Sequence, residues 1–146
     1  MLQTEWTILP GMSGLPLQKH PYIRQFIRIK SGYLRFYLKN EWKTFAAGDE
    51  LIIDKNLPYT FNNTTSNSAK FVCSYDPAMG LEQYFKGLYK FANSGLVQNQ
   101  TFTFKSVLGL SALWSNYPVE IKPVNPPNWL VRILAFTGKI FGKNFR

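Results

Sequence analysis

The chain contains a single histidine and a single cysteine, and this scarcity excludes several kinds of protein. Cys73 has no second cysteine to pair with, so we expect no dependence on an oxidising compartment. His20 is accompanied by only eight carboxylates, none of which are arranged as a catalytic pair. We therefore predict neither a Ser-His-Asp type of triad nor paired-carboxylate catalysis.

Long hydrophobic runs and targeting signals are also lacking. No stretch of about 18 uninterrupted apolar residues is present, so we predict no membrane-spanning helix. The first six residues lack the basic start and apolar run of a signal peptide. Glycine-rich phosphate-binding loops are absent as well. We therefore expect a cytoplasmic protein.

Positive charge is abundant, with 17 basic against eight acidic residues and a net charge of +9. Such a field favours anionic partners. The basic residues, however, alternate along predicted strands, which is typical of the solvated face of a sheet. No nucleic-acid motif accompanies them, so we predict no nucleic-acid partner.

The chain is long enough for one structural domain with a single core, and its two halves have different periodicities. Short alternating segments bounded by turn residues predict a small antiparallel barrel or sandwich over residues 1–77, with a hairpin turn at Asn40 and Glu41. Residues 78–146 show helical spacing and form a predicted extension packed on the barrel. Strands are predicted over 5–8, 22–30, 33–39, 42–45, 50–54, 59–62 and 70–75, and helices from 81 to about 93, over 105–116 and over 128–141.

Two glycine-bounded segments carry the most specific pattern. Residues 48–63 begin with Gly48 and end with Asn63, and residues 14–32 end with Gly32. In this order and separation they resemble the second and first motifs of the cupin superfamily, in particular its small single-domain members. The resemblance implies a cupin-like antiparallel β-barrel, or jelly roll, followed by two to three C-terminal helices.

The same resemblance identifies the positions at which cupins usually hold a metal ion. The two histidines of the first motif correspond to Gln18 and His20, its glutamate to Arg24 or Gln25, and the histidine of the second motif to Tyr59. Amides and a cation do not replace these ligands, and a phenol with an unperturbed pKa near 10 is a poor ligand. We therefore predict a degenerate site with no metal and no cofactor.

A barrel that retains its strands but lacks the metal ligands provides a pocket for one small molecule. We predict a non-catalytic binding or sensing module for a small, partly polar organic ligand, and the positive field favours a negatively charged one. We also predict a homodimer. The predicted ligand-binding residues combine amides with aromatic faces: Gln18, His20, Gln25, Phe36, Tyr59 and Phe61.

Two other functions stay open. The first is a cupin-type enzyme, either a dioxygenase or isomerase with an atypical metal site or a metal-free isomerase that uses Tyr59 and His20 as acid and base. The second is a peripheral membrane protein, because residues 129–146 combine an apolar stripe with four basic residues. Packing of this segment on the barrel or across a dimer interface is favoured over membrane contact.

Overall fold

A computed structural model describes residues 1–14, 17–93, 97–98, 101–102 and 104–124 of the chain. The chain divides into two compact units, Met1–Ala78 and a second unit that begins at Met79. The two units are described one after the other below.

The first unit is built almost entirely of strands. Alternation of apolar and polar residues explains them: in β4, Leu34, Phe36 and Leu38 are buried, whereas the residues between them face outward. The strands are β1 Leu2–Ile8, β2 Gln18–Lys19, β3 Arg24–Ser31, β4 Tyr33–Leu38, β5 Glu41–Ala46, β6 Glu50–Ile53, β7 Tyr59–Asn62 and β8 Ala69–Asp76.

These strands form two antiparallel sheets that enclose the core. One sheet has the order β1-β8-β3-β6, and the other contains β2-β7-β4-β5 in that order. Neighbouring strands in each sheet are mostly distant in sequence, as in a jelly roll, where the chain crosses repeatedly between the two sheets. The predicted antiparallel β-barrel fold is therefore confirmed.

The β4–β5 hairpin corrects one prediction by one residue. Leu38 pairs with Glu41, so the two-residue turn consists of Lys39 and Asn40 rather than Asn40 and Glu41. Both turn residues have positive φ angles, 50° and 65°. Two-residue hairpins favour this left-handed geometry because its twist matches that of the flanking strands.

The corner between β3 and β4 requires glycine. Gly32 has a φ of +74°, and a Cβ atom there would lie 2.8 Å from the carbonyl oxygen of Ser68. Both the left-handed backbone and the close approach of the chain before β8 exclude a side chain. The glycine that ends the first motif is therefore a structural requirement of the barrel.

An aromatic cluster fills one part of the barrel interior. Phe36, Phe61 and Phe71 contact one another with ring centroids 5.4–5.9 Å apart, mostly edge to face. Trp6 stacks on Phe71 at 6.0 Å. Each fully buried aromatic side chain of this kind contributes about 1.5–3 kcal/mol to folding, so this cluster is a principal part of the core.

Asn63, the last residue of the second motif, anchors the loop between β7 and β8. Its Nδ2 donates to the carbonyl oxygens of Ile8 and Asn67, at 3.0 and 2.7 Å. Its Oδ1 accepts from the backbone N–H and the hydroxyl of Thr65, at 3.0 and 2.7 Å. The asparagine thus satisfies buried backbone groups of two segments and has a structural role.

The described part of the second unit contains two helices, both of which are predicted from the sequence, together with short strands. The helices are α1 Leu81–Ala92 and α2 Phe104–Asn116, and the strands are β9 Val97–Gln98, β10 Thr101–Phe102 and β11 Lys122–Pro123. The side chains of Leu81, Tyr84 and Phe91 are buried on one face of α1. No helix of the described ranges is long and apolar enough to cross a membrane. The helix predicted over 128–141 lies outside the described residues.

Candidate functional site

A polar layer lies beside the aromatic cluster inside the barrel. Gln18 on β2 pairs with Tyr59 on β7, and Gln25 on β3 pairs with Tyr75 on β8. Residues directly opposite each other in an antiparallel pair point to the same face of the sheet. All four side chains are buried, so one pair from each sheet faces the interior.

A hydrogen bond joins the two sheets across this layer. The hydroxyl of Tyr59 donates to Oε1 of Gln25 at 2.9 Å. The thiol of Cys73 donates to the same oxygen at 3.6 Å. Because two donors converge on Oε1, the orientation of the Gln25 amide is determined, and its Nε2 amino group points elsewhere.

His20 completes this group. It follows β2, and its buried ring lies with its centroid 6.0 Å from that of Tyr59 and 6.1 Å from that of Tyr75. Its Nε2 atom is 3.4 Å from the hydroxyl oxygen of Tyr59. Since the phenolic proton points to Gln25, a hydrogen bond here requires a proton on Nε2 of His20. We call the whole set, Gln18, His20, Gln25, Tyr59, Cys73 and Tyr75, the polar cluster.

Two buried polar atoms of this cluster have no hydrogen-bond partner within the described part of the chain. They are Oε1 of Gln18 and Nε2 of Gln25. The two residues are only 6% and 1% exposed. An unsatisfied buried donor or acceptor costs about 1–3 kcal/mol, so a guest that forms hydrogen bonds with both atoms would stabilise the fold.

Cys73 and Tyr75 are held in their neutral forms. Burial raises the pKa of the Cys73 thiol to about 12, and a hydrogen bond with Tyr75 offsets only part of this. Burial, followed by the proximity of Cys73 and Tyr59, raises the pKa of Tyr75 well above its ordinary value. At neutral pH neither residue is an anion, which excludes an activated thiolate at Cys73.

The six predicted ligand-binding residues fall into two adjoining groups. Gln18, His20, Gln25 and Tyr59 come together in the polar cluster, whereas Phe36 and Phe61 belong to the aromatic cluster. Phe61 follows Tyr59 by two residues on β7, so it is the next inward-facing side chain on that strand.

The structure also decides which residue stands at the glutamate position of the first motif. Arg24 faces outward, and its Nε lies 2.9 Å from Oδ1 of Asp54 at the surface. Gln25 is the inward-facing residue. Sequence reasoning missed Tyr75 and Cys73 as members of the cluster, because only the pairing of β8 with β3 brings them beside Gln25.

The donor set of the polar cluster does not fit a metal ion. The four positions implied by the cupin resemblance provide one imidazole, two neutral amides and a phenol. Oε1 of Gln25 already accepts two hydrogen bonds, and the Tyr59 hydroxyl keeps its proton to donate to it. Across the described ranges, no group of three or more histidine, cysteine or acidic side chains is placed to hold a metal. A site of this type needs about three good ligands.

Comparison with known proteins identifies the barrel. A family model described as "Cupin domain" matches residues 4–75, which span the strands from β1 to β8. The barrel is a cupin domain. No curated protein matches the chain.

Solved structures are similar to part of this chain. An uncharacterised conserved protein with a double-stranded β-helix domain from Klebsiella pneumoniae has a TM-score of 0.50 and 19% identity, over 53% of this chain and 67% of that one. A predicted oxalate decarboxylase from Thermotoga maritima has a TM-score of 0.48 and 23% identity, over 51% and 64%. A sugar phosphate isomerase of the cupin superfamily from Silicibacter pomeroyi has a TM-score of 0.47 and 18% identity, over 49% and 46%. The likeness to the Klebsiella protein concerns the fold alone, and no activity follows from any of the three.

Proposed function

We propose that this cupin domain is a metal-free binding or sensing module that holds a small organic molecule at the polar cluster. The observation that carries the proposal is the pair of orphaned atoms, Oε1 of Gln18 and Nε2 of Gln25. Buried polar atoms are nearly always hydrogen-bonded, and two exceptions in one layer of a barrel indicate a place for a guest. The cupin metal positions would then serve as contacts for that guest.

The chemistry of the cluster favours binding over catalysis. Its six residues include no carboxylate, amine or guanidinium. The thiol of Cys73 and the phenol of Tyr75 keep their protons at neutral pH. A general base or an activated nucleophile needs a pKa near the working pH, and these two groups are shifted away from it.

Native mass spectrometry of the purified protein tests this proposal. We expect a co-purified organic molecule at up to one equivalent that is lost when the protein is unfolded, and no stoichiometric metal by elemental analysis. The variant Gln25→Leu is expected to lose the molecule, whereas Gln83→Leu, which alters an exposed glutamine of α1, keeps it. A stoichiometric transition metal that disappears in His20→Ala would contradict the proposal.

A metal-free isomerase is the second candidate, and one contact favours it. Nε2 of His20 and the hydroxyl oxygen of Tyr59 are 3.4 Å apart, so an imidazole and a phenol, two groups that can transfer protons, lie side by side. If the co-purified molecule is a substrate, incubation with the protein in D2O will introduce deuterium at carbon, and Tyr59→Phe will abolish this exchange. A molecule that binds without any exchange favours the binding module.

We further propose that the homodimer predicted from the sequence forms through the outer face of the sheet β1-β8-β3-β6. A groove of about 600 Å³ lies on this face. Phe26 on β3 and Ile52 on β6 pair with each other there and are 41% and 57% exposed. Ion pairs flank them on both sides, Arg28 with Glu50 and Arg24 with Asp54.

The charge pattern of this face is self-complementary. On this outer face, basic residues lie along β3 and acidic residues lie along the neighbouring strand β6 and at its end. A column of positive charge and a column of negative charge therefore lie side by side. A twofold axis that runs along the strands between these columns places each positive column over the negative column of a second copy. The apolar pair of Phe26 and Ile52 then lies at the centre of the contact.

Sedimentation velocity of two matched variants tests the dimer. We expect the unchanged protein to sediment as a dimer, and Ile52→Asp to sediment as a monomer because it buries an unpaired charge at the centre. Val119→Asp changes another exposed apolar residue and should leave the dimer intact. If Ile52→Asp is still a dimer, the outer face of the sheet β1-β8-β3-β6 is excluded as the dimer interface. Membrane contact through residues 129–146, which lie outside the described ranges, stays a prediction.

A further inference from the structure

We propose that the guest of the polar cluster is an uncharged molecule with a carbonyl acceptor next to an N–H or O–H donor, as in a carboxamide or a lactam. We also propose that the corresponding carboxylate is excluded. This inference rests on the proposed binding function and names the chemical class of the ligand.

The orphaned atoms define the hydrogen bonds that the guest must make. Nε2 of Gln25 has N–H donors without an acceptor, so it requires a carbonyl or similar oxygen on the ligand. Oε1 of Gln18 is an acceptor without a donor, so it requires an N–H or O–H group. A ligand with only acceptors or only donors would leave one of the two atoms unsatisfied.

The two glutamines border the same tyrosine side chain. Gln18 is the direct ladder partner of Tyr59, and such partners have Cβ atoms about 4.5–5.5 Å apart. The hydroxyl of the same Tyr59 donates to Gln25. Both glutamines are therefore neighbours of Tyr59, and the proposal places the polar group of the ligand beside this tyrosine, where it contacts both amides.

The polar cluster contains no permanently charged side chain, which disfavours an anion. The six residues have no lysine or arginine among them, and the basic side chains of β3 lie on the opposite, outer face. The side chains of Arg24 and Arg28 are 51% and 61% exposed and already paired with carboxylates. Their field is screened by water and salt, so the polar cluster offers a buried carboxylate no lysine or arginine as a counter-charge, and we expect the carboxylate to bind more weakly than the amide.

An uncharged ligand differs from the negatively charged ligand that the net charge of the chain favours. The charge of +9 is a property of the whole chain, whereas selectivity inside a barrel depends on the groups that face the interior. At the polar cluster those groups are amides, phenols, a thiol and an imidazole. They match an uncharged ligand.

Nuclear magnetic resonance of the full chain, freed of any co-purified molecule, tests the inference. The probes are two matched pairs, benzamide with benzoate and acetamide with acetate. We expect at least one amide to shift the side-chain NH2 signals of Gln25 in a saturable manner, and its carboxylate partner to bind at least about tenfold more weakly. The Gln25 signals are assigned by their disappearance in Gln25→Leu.

Variants show whether the shifts report the proposed contacts. Gln25→Leu should abolish amide binding, Gln18→Met should weaken it, and Gln83→Leu, at an exposed site, should leave it unchanged. The far-ultraviolet circular dichroism and the nuclear magnetic resonance spectrum of each variant verify that it is folded. Amide binding that survives both interior substitutions would overturn the inference.

The possible outcomes distinguish this inference from the proposed function. Benzoate or acetate that binds as tightly as its amide overturns the inference and leaves the binding module intact. The inference is also overturned, and the binding module kept, if no probe binds but a co-purified organic molecule is found to be an anion. If no probe binds and no organic molecule co-purifies, water alone satisfies the orphaned atoms, and both proposals fail.

Discussion

Substitution of Gln18 by methionine should stabilise the ligand-free protein while it weakens ligand binding. Methionine has nearly the volume and flexibility of glutamine, so the change replaces a polar amide by an apolar group of similar shape. In the ligand-free state it removes Oε1, a buried acceptor without a partner. The penalty of such an atom is about 1–3 kcal/mol, and its removal should raise the free energy of unfolding by about that amount.

Urea unfolding of protein refolded without its ligand measures the effect. For a domain of this size, 1 kcal/mol corresponds to a shift in melting temperature of roughly 2–4 °C, so thermal unfolding provides a second readout. The midpoint should rise with an unchanged m value, because the surface exposed on unfolding is similar.

The control for this prediction is Gln83→Met, which places the same change on the exposed face of α1. Glutamine and methionine have similar helix propensities, so we expect a change within about 0.5 kcal/mol. Destabilisation of the ligand-free protein by Gln18→Met of more than about 1 kcal/mol would show that Oε1 is satisfied within the barrel. That result would remove half of the basis for the binding site.

Three further predictions concern the fold. Asn63→Ala should lower the free energy of unfolding by about 3 kcal/mol or more in denaturant titrations, since four hydrogen bonds are lost. A loss below about 1 kcal/mol would contradict the structural role of Asn63 in anchoring the loop. Gly32→Ala should lower the free energy of unfolding by about 2 kcal/mol or more, and Gly48→Ala should lower it clearly less. Both glycines have a positive φ, but only Gly32 lies against the carbonyl oxygen of Ser68. Equal losses in the two variants would contradict the close contact at Gly32. The raised pKa of Cys73 implies stability that is fully present below about pH 9 and lost as the pH rises to about 12, because only the unfolded thiol ionises there. Cys73→Val should flatten this alkaline decline in unfolding titrations, and an unchanged decline would refute the assignment.

The sequence is sufficient to predict those features that depend on local periodicity. The alternation of Leu34, Phe36 and Leu38 predicts both the strand and its buried face, and β7 has the predicted bounds of Tyr59–Asn62. The hairpin turn lies one residue before its predicted position, because a positive φ at Lys39 is imposed by strand pairing and is not typical of lysine.

The candidate site depends on contacts between distant strands, and these are only partly visible in the sequence. Motif spacing places Gln18, His20 and Tyr59, but it leaves Arg24 and Gln25 as alternatives until the register of β3 decides between them. Tyr75 joins the cluster only through the pairing of β3 with β8. Orphaned atoms cannot be read from a sequence at all, since they are defined by which partners the fold does not supply.

The most direct test of the central claim is a high-resolution crystal structure of the protein as purified, with attention to the space between Gln18 and Gln25. We predict continuous density for an organic molecule that accepts a hydrogen bond from Nε2 of Gln25 and donates one to Oε1 of Gln18. A metal ion coordinated by His20, or side chains that pack together and leave no space for a guest, would contradict the account.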